Sequence, residues 1–473
     1  MFKTLFKKEL LDHLLGFRFA VSAVLCLLLM IISVVILVGD YSARRNDFHR
    51  NMTAYKAEAE EEGSYFNLAR NGVKVDRPPA KLQVPAYGLE KDPDRTARVP
   101  ASGIPKVLHE LYLNPLLSLF PVADVVFVVA TVLSLLAFVV SYDAVTGERE
   151  QETIKLLMSY NVPRDRLILA KWLGGYVSLV TPFLLSAGIG CVVIQLADID
   201  LGGSDWMAFG LLIGLSLVFL AAMFSIGLFV SCICRYSATS ITVLVLIWVI
   251  CVLVVPNISP YVAAEVVPVK PFSAVESEIK QETASVMRSF MGRLHGRRSE
   301  LRRAFSGSGQ EAAQARQKLM ETMNQARTEL QENIGRIEET KLGEFQRGQN
   351  RQITATKNIS RISPIAAYVY AATDVASTGV RKQEHFYQSV QEYQRQFETY
   401  VDRKMEGALS QGFMAFFGGQ QEYDVSDMPE FRYDEEELVR RVDYSLWDIV
   451  VLAGYSVVFF LASFVGFMKA DLL

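Results

Sequence analysis

Cysteine and histidine are scarce, five of each in 473 residues. Cys26, Cys191, Cys232, Cys234 and Cys251 all lie in or beside long apolar runs, and none falls in the two large polar regions. A disulfide framework is therefore not expected, even if those regions face an oxidising compartment. Cys232 and Cys234 are spaced C-x-C, unlike a redox C-x-x-C pair, and no second pair completes a zinc site. Each cysteine reads as a small apolar residue. His13, His49, His109, His295 and His385 are far apart, so no cluster has metal-ligand spacing, and the fourteen methionines form no repeated Met-x-x-Met array. No metal site is expected. The Gly-x-x-x-x-Gly-Lys-Ser/Thr loop that cradles nucleotide phosphates is missing, as are the Gly-x-Ser-x-Gly and His-Glu-x-x-His motifs of hydrolases. No catalytic residues and no bound cofactor are expected. A net charge of -3 is too small for a nucleic-acid binder.

Apolar residues are abundant, at 51% beside 21% charged. A bilayer core needs about 20 mostly apolar residues per helix. Runs at 19–38, 116–140, 167–196, 207–232, 238–255 and 448–468 meet that length, so six crossings are expected. The third run is long enough to tilt or overshoot the core. The first follows Lys3, Lys7, Lys8 and Arg18. It has full spanning length and no small-x-small cleavage site after it, so it reads as an uncleaved anchor.

Lysine and arginine in the short flanks set orientation. The N-terminal flank, the 141–166 link, Arg235 and Lys469 all fall on one side, which the rule assigns to the cytoplasm. Both termini are then cytoplasmic. The segments 39–115 and 256–447 lie outside, since long translocated domains largely escape the rule. Trp172 falls near the inner boundary and Trp206 and Trp447 near the outer one, while Trp248 sits mid-span and needs a packing partner. Phe2, Leu5, Phe6, Leu10, Leu14 and Phe17 recur at helical spacing, which predicts an amphipathic interfacial helix within residues 1–18.

In the first outer segment a polar helical stretch is expected at 48–62, then little regular structure between Arg77 and Pro105, where prolines are dense. In the second, one apolar stripe runs from Val275 to Phe305. A second runs from Leu319 to Ile337 after the Ser306–Gly309 break, and a third from Phe386 to Met405. These stripes either pack only on each other or also present a docking face to an outer protein. The apolar segment 362–370 is too short to span and is expected along the outer leaflet surface.

The 141–166 link carries the densest pattern. Glu148, Arg149, Glu150 and Glu152 precede a short amphipathic helix expected from Thr153 to Met158, and Pro163 makes a turn into the third span. Such an element either docks in a groove of a soluble motor, with apolar residues buried and charges fixing register, or is a solvated turn. Within the spans Asp124 is a lone acid near the outer end of the second. An acid there either acts in transport or meets interfacial water. Thr131, Ser134, Ser178 and Thr181 either line a path or bond backbone carbonyls.

The run from Asp143 to Lys171 resembles the signature of type-2 ABC exporter (ABC-2) permeases. The matching residues are Asp143, Gly147, Glu148, Arg149, Glu150, Thr153, Leu156, Leu157, Pro163, Arg164 and Lys171, with Lys155 inside the same segment. The family often has glycine before the threonine, where this chain has Glu152. The large insertions resemble a bacterial subgroup similar to multicopper-enzyme maturation permeases. The resemblance implies an all-α polytopic membrane protein with six transmembrane helices, an N-terminal interfacial helix and a mainly helical extracytoplasmic insertion. It implies a bacterial inner-membrane location and an ABC ATPase in trans that holds the ATP-Mg. It further implies a second permease copy or paralogue and contact with membrane lipid. An extracytoplasmic protein is a further candidate partner. The alternative function is an ATPase-coupled mechanical device that acts on an outer partner and moves no substrate.

Overall fold

A computed structural model describes residues 2–91, 95–108, 122–153, 163–197, 199–296, 310–410 and 423–469. Among the described residues the chain is overwhelmingly helical, and six helices are long and apolar enough to cross a membrane. In lipid an unpaired backbone amide has no water to turn to, so a helix that satisfies its own amides is the expected spanning element.

The chain starts with α1 (Phe2–Leu14) and α2 (Phe17–Glu61). The expected span at 19–38 and the polar stretch at 48–62 are one continuous helix of 45 residues, because no proline interrupts them. After α3 (Tyr65–Asn71) come three short antiparallel strands in the order β1 (Val73–Asp76), β2 (Thr96–Val99), β3 (Lys106–Leu108). Val73 pairs with Val99 and Thr96 with Leu108. The Arg77–Pro105 region is thus more ordered than its prolines suggest, with β2 and two 3-10 turns (Lys81–Gln83 and Gly88–Lys91) inside it. The prolines flank these elements, and strands of three or four residues are too short for alternation to stand out. Gly72 makes the entry to β1 possible: its φ is +72°, and a Cβ there would sit 2.5 Å from the Val99 carbonyl oxygen.

Next come α4 (125–141), widened by a π-helical turn at Val128–Leu133, and the short α5 (Thr146–Glu150). The remaining long apolar helices are α6 (Arg164–Leu196), α7 (Gly203–Ile233), α8 (Ser237–Val266) and, at the end, α13 (Leu438–Lys469). Helix α7 is the centre of the bundle and packs on α4, α6 and α13, with Phe138, Phe183, Phe219, Phe224 and Leu452 in the core. The end of the bundle that carries α1 and α5 is called basal below, and the end that carries the sheet distal.

The 362–370 segment departs from expectation. It belongs to α11 (Pro364–Val375), which packs inside the bundle against α7 and α13. Tyr368 is fully buried, stacks on Phe219 at 4.5 Å and hydrogen-bonds Ser216 at 2.8 Å. Alanines at 366, 367, 371 and 372 let this helix approach its neighbours closely. The third apolar stripe lies on α12 (Val380–Ser410). Its Phe386, Val390, Tyr393 and Phe397 form a distal core with Val75, Val99 and Phe431.

Residues 260–356 are a separate compact unit. Within it α9 (Phe272–Gly296) lies against α10 (Gln310–Ser360). Phe272 meets Phe345 at 5.5 Å, and Lys341 reaches Glu282 at 2.8 Å and Glu278 at 3.6 Å. The Ser306–Gly309 break lies outside the described residues.

Candidate coupling site

The Gly147–Glu150 run is helical, and each of its charged side chains takes a different partner. The helix is seated first: the Val145 and Thr146 amides donate to Ser231 Oγ of α7 at 3.1 and 3.3 Å. Gly147 packs over Asp143, where a Cβ would lie 3.4 Å from the aspartate Cβ. Glu148 then accepts from Lys171 Nζ of α6 at 2.7 Å. Arg149 donates to the carbonyls of Cys234 at 2.8 Å and Cys232 at 3.3 Å. These close the C-terminal end of α7, where carbonyls lack helical partners and a cation is favourable. Glu150 accepts from the Ser237 amide at 2.9 Å and hydroxyl at 2.7 Å, an anion at the N-terminal end of α8. Three consecutive charges thus tie α5 to α6, α7 and α8.

Lys171 is the hub. It also donates to both oxygens of Glu9 on α1, at 3.2 and 3.3 Å, so one ammonium holds α1, α5 and α6 together. Removing the Lys171 charge would leave two carboxylates without compensation, at about 3–5 kcal/mol. Helix α1 lies close enough to α6 that a Cβ on Gly174 would be 2.9 Å from the Glu9 Cβ. Among the described residues the buried Glu148 Oε2 has no hydrogen-bond partner.

Glu152 adopts φ +56°, a left-handed conformation that glycine takes without cost. The turn before Thr153 is therefore of the type for which glycine is suited, with glutamate carrying the strain. Thr153 donates to the Glu148 carbonyl at 3.2 Å. Pro163 caps the start of α6, and Arg164 donates to the Met468 carbonyl at the end of α13, at 3.1 Å. Lys155, Leu156 and Leu157, with most of the helix expected at Thr153–Met158, lie outside the described residues.

The candidate path residues are engaged locally. Asp124 caps α4, accepting from the Phe127 amide at 2.6 Å, and holds the distal loop through the Tyr87 amide at 2.6 Å. Ser134 accepts from Trp248 Nε1 at 3.0 Å, the partner that the mid-span tryptophan required. The Thr131 carbonyl accepts from Ser134 at 3.1 Å. Two features were not singled out from the sequence. One is Glu9, whose neighbours Lys7 and Lys8 mask it as part of a basic flank. The other is the Arg361–Asp448 pair at 2.6 and 3.1 Å, which joins the end of α10 to α13 across 87 residues of chain.

Comparison with known proteins adds two findings. The family described as "ABC-2 family transporter protein" matches residues 3–472. The "Probable ABC transporter permease protein NosY" of Stutzerimonas stutzeri is 35% identical over 80 residues, 16% of this chain. The match spans 28% of that relative's own length.

Proposed function

The chain belongs to the ABC-2 family of transporter proteins, and on that premise we propose that it is the permease subunit of an ATP-driven exporter whose ATPase is a separate polypeptide. The observation that carries the coupling role is the Lys171 hub. A push on α5 is transmitted through Glu148 to α6 and through Glu9 to α1, while Arg149 and Glu150 pass it to the ends of α7 and α8. Motion of a soluble motor would reach four bundle helices from one short element, and the bundle would shift between packed arrangements. The residues assigned to this contact are Asp143, Gly147, Glu148, Arg149, Glu150, Thr153, Lys155, Leu156, Leu157, Pro163, Arg164 and Lys171. The basal end faces the cytoplasm of a bacterial inner membrane, and the segments 39–115 and 256–447 lie outside. A second permease copy or a paralogue completes the translocation path. ATP-Mg binds the ATPase subunit.

The test is purification from the native membrane in mild detergent, comparing the wild type with Glu148→Ala/Arg149→Ala. The wild type is expected to carry a stoichiometric P-loop ATPase. The variant is expected to insert normally and to lose the ATPase or its coupling to transport. Normal ATPase recovery and normal transport in the variant would sink the assignment. ATPase stimulation by an outer protein alone, with none by transported molecules in liposomes, would replace the exporter with the mechanical device.

A further inference from the structure

Helix α1 has two unlike faces. The inner face is taken: Glu9 is buried on Lys171 of α6, and Leu5 packs on the cluster of Leu167 and Ile168. The outer face is open. Residues four apart share one side of a helix, and Lys3, Lys7 and Leu11 are all exposed. The Leu15 amide donates to the Leu11 carbonyl at 2.9 Å, so a last turn carries Leu15 onto the same stripe. Leu15 is 82% exposed, and Phe17, the first residue of α2, is 83% exposed.

The stripe changes character along its length, with cations first and apolar side chains after them. The apolar part does not stop at Gly16 between the two helices. Phe17, Val21, Val24 and Leu28, at spacings of four, three and four, continue as the exposed side of α2 in the first span. This continuity points to the occupant. The exposed side of a spanning helix meets hydrocarbon, so a stripe that runs into it without a break meets the same solvent. Leu11, Leu15 and Phe17 then lie against acyl chains, with the lysines at the level of the headgroups.

Charge selects the headgroup. The open face of α1 carries Lys3, Lys7, Lys8 and Asp12. Lys8 is shared between Glu9 at 3.8 Å and Asp12 at 4.0 Å, while Lys3 and Lys7 carry no ion pair among the described residues. The first turn of α6, next to Leu167, holds Arg164, Asp165 and Arg166, so it brings no excess of acid. Arg18 is a further cation of this flank, with its side chain outside the described set. Two exposed ammonium groups thus stand beside an apolar stripe. Ammonium groups bind phosphate as point charges, and basic residues beside a span are drawn to anionic lipid.

We propose that the outer face of α1 binds anionic phospholipid, with Lys3 and Lys7 on the headgroup phosphates and Leu11, Leu15 and Phe17 among the acyl chains. The opposite face of the same helix holds the Lys171 hub through Glu9, so the lipid seats one member of the hub. The inference needs neither the ATPase nor transport, and it stands or falls apart from the exporter reading.

The full-length chain is reconstituted in nanodiscs of equal parts phosphatidylglycerol and phosphatidylcholine. Each lipid in turn carries a trace of an analogue with a photoreactive diazirine in its tail, and labelled peptides are mapped by mass spectrometry. Label in the 19–38 span serves as the control for insertion. The phosphatidylglycerol probe is expected to label residues 2–17 about tenfold more than the phosphatidylcholine probe. Lys3→Gln/Lys7→Gln is expected to bring the two probes to near parity, and Lys3→Arg/Lys7→Arg to keep the preference. Both positions are exposed, so neither variant puts folding at risk. Equal labelling by the two probes in the wild type overturns the inference. So does a preference that survives Lys3→Gln/Lys7→Gln, or one that the arginine variant loses equally. Absence of label from residues 2–17 with both probes would give the stripe to a protein partner and overturn it as well.

Discussion

Two buried ion clusters in this chain have inverted stoichiometry. At the basal end one cation, Lys171, serves two carboxylates, Glu9 and Glu148. At the distal end one carboxylate, Glu90, serves two cations, Lys382 at 2.6 Å and Arg77 at 3.3 Å. The side chains of the distal set are 1–3% exposed, sealed between the 3-10 turn, the start of α12 and Phe386. In the basal set Lys171 is as deeply buried, at 3%, but the Glu148 side chain is 19% exposed. A sealed cluster has no route by which an outside partner changes its charge balance, so it acts as a clamp. A cluster with one member at the surface can exchange that member's contacts, so it can report a partner. The difference in burial, rather than the number of charges, separates a structural pin from a candidate switch.

The comparison breaks most sharply if the distal cluster is opened. Lys382→Met leaves Glu90 with Arg77 alone and is expected to destabilise the distal part by about 3–5 kcal/mol. Protease cleavage of the β1–β3 region should rise, with ATPase association unchanged. Loss of the ATPase in this variant would erase the distinction between pin and switch.

At the basal end Glu148→Gln keeps shape and removes one charge from the hub. Its expected cost is smaller, about 1–3 kcal/mol, because the group is partly solvated and Lys171 retains Glu9. Its functional effect should be larger, with ATPase co-purification down about tenfold while melting in detergent changes little. A variant that melts early and keeps its ATPase would make Glu148 a structural residue like Glu90.

Acid separates the two ends in a different way. Burial alone would raise the Glu90 carboxyl, but Lys382 and Arg77 outweigh it and hold Glu90 below the usual carboxylate range. A depressed carboxylate contributes stability that is full above its unfolded value, about 4.3 for glutamate. That stability is lost as pH falls through the folded value. Hydrogen exchange in β1 and β2 should therefore quicken below that range, and Glu90→Gln should flatten the dependence. Exchange that is equally pH-dependent in Glu90→Gln would place the acid response elsewhere.

The smallest effect is expected at Ser134→Ala. It removes the acceptor for Trp248 and should cost about 1 kcal/mol, with transport unchanged if the hydroxyl only packs. A large transport defect at normal stability would return Ser134, and Thr131 beside it, to a path-lining role.

How much of this was legible in the sequence varies with the length of the signal. Runs of about 20 apolar residues are long enough to be read against bilayer thickness, and six spans follow. The join of the first span to the polar stretch after it was not read, because apolar composition ends at Val38 while helical backbone continues to Glu61. Helix α11 was misplaced on the leaflet surface for a related reason. A short apolar segment fits an interfacial helix and a core helix equally well, and only packing against Phe219 and Ser216 separates them. At the candidate site the charged run Glu148–Glu150 stood out by density, but the partner of each charge did not. Cys232, Cys234 and Ser237 are brought there by the ends of α7 and α8, which share no sequence pattern with α5.

Alternation between lipid and water can be read from composition alone, because transfer of about 20 apolar residues is a local and additive property. The helical character of α1, α9, α10 and α12 can be read from their periodicity, which is also local. Packing of the helices brings Glu9 to Lys171 and Arg361 to Asp448, and clamps Glu90 while leaving Glu148 partly exposed. Pairing between residues 87 or 162 positions apart depends on how helices cross. Crossing is set by small residues such as Gly174 and the alanines of α11, whose effect appears only when two surfaces meet.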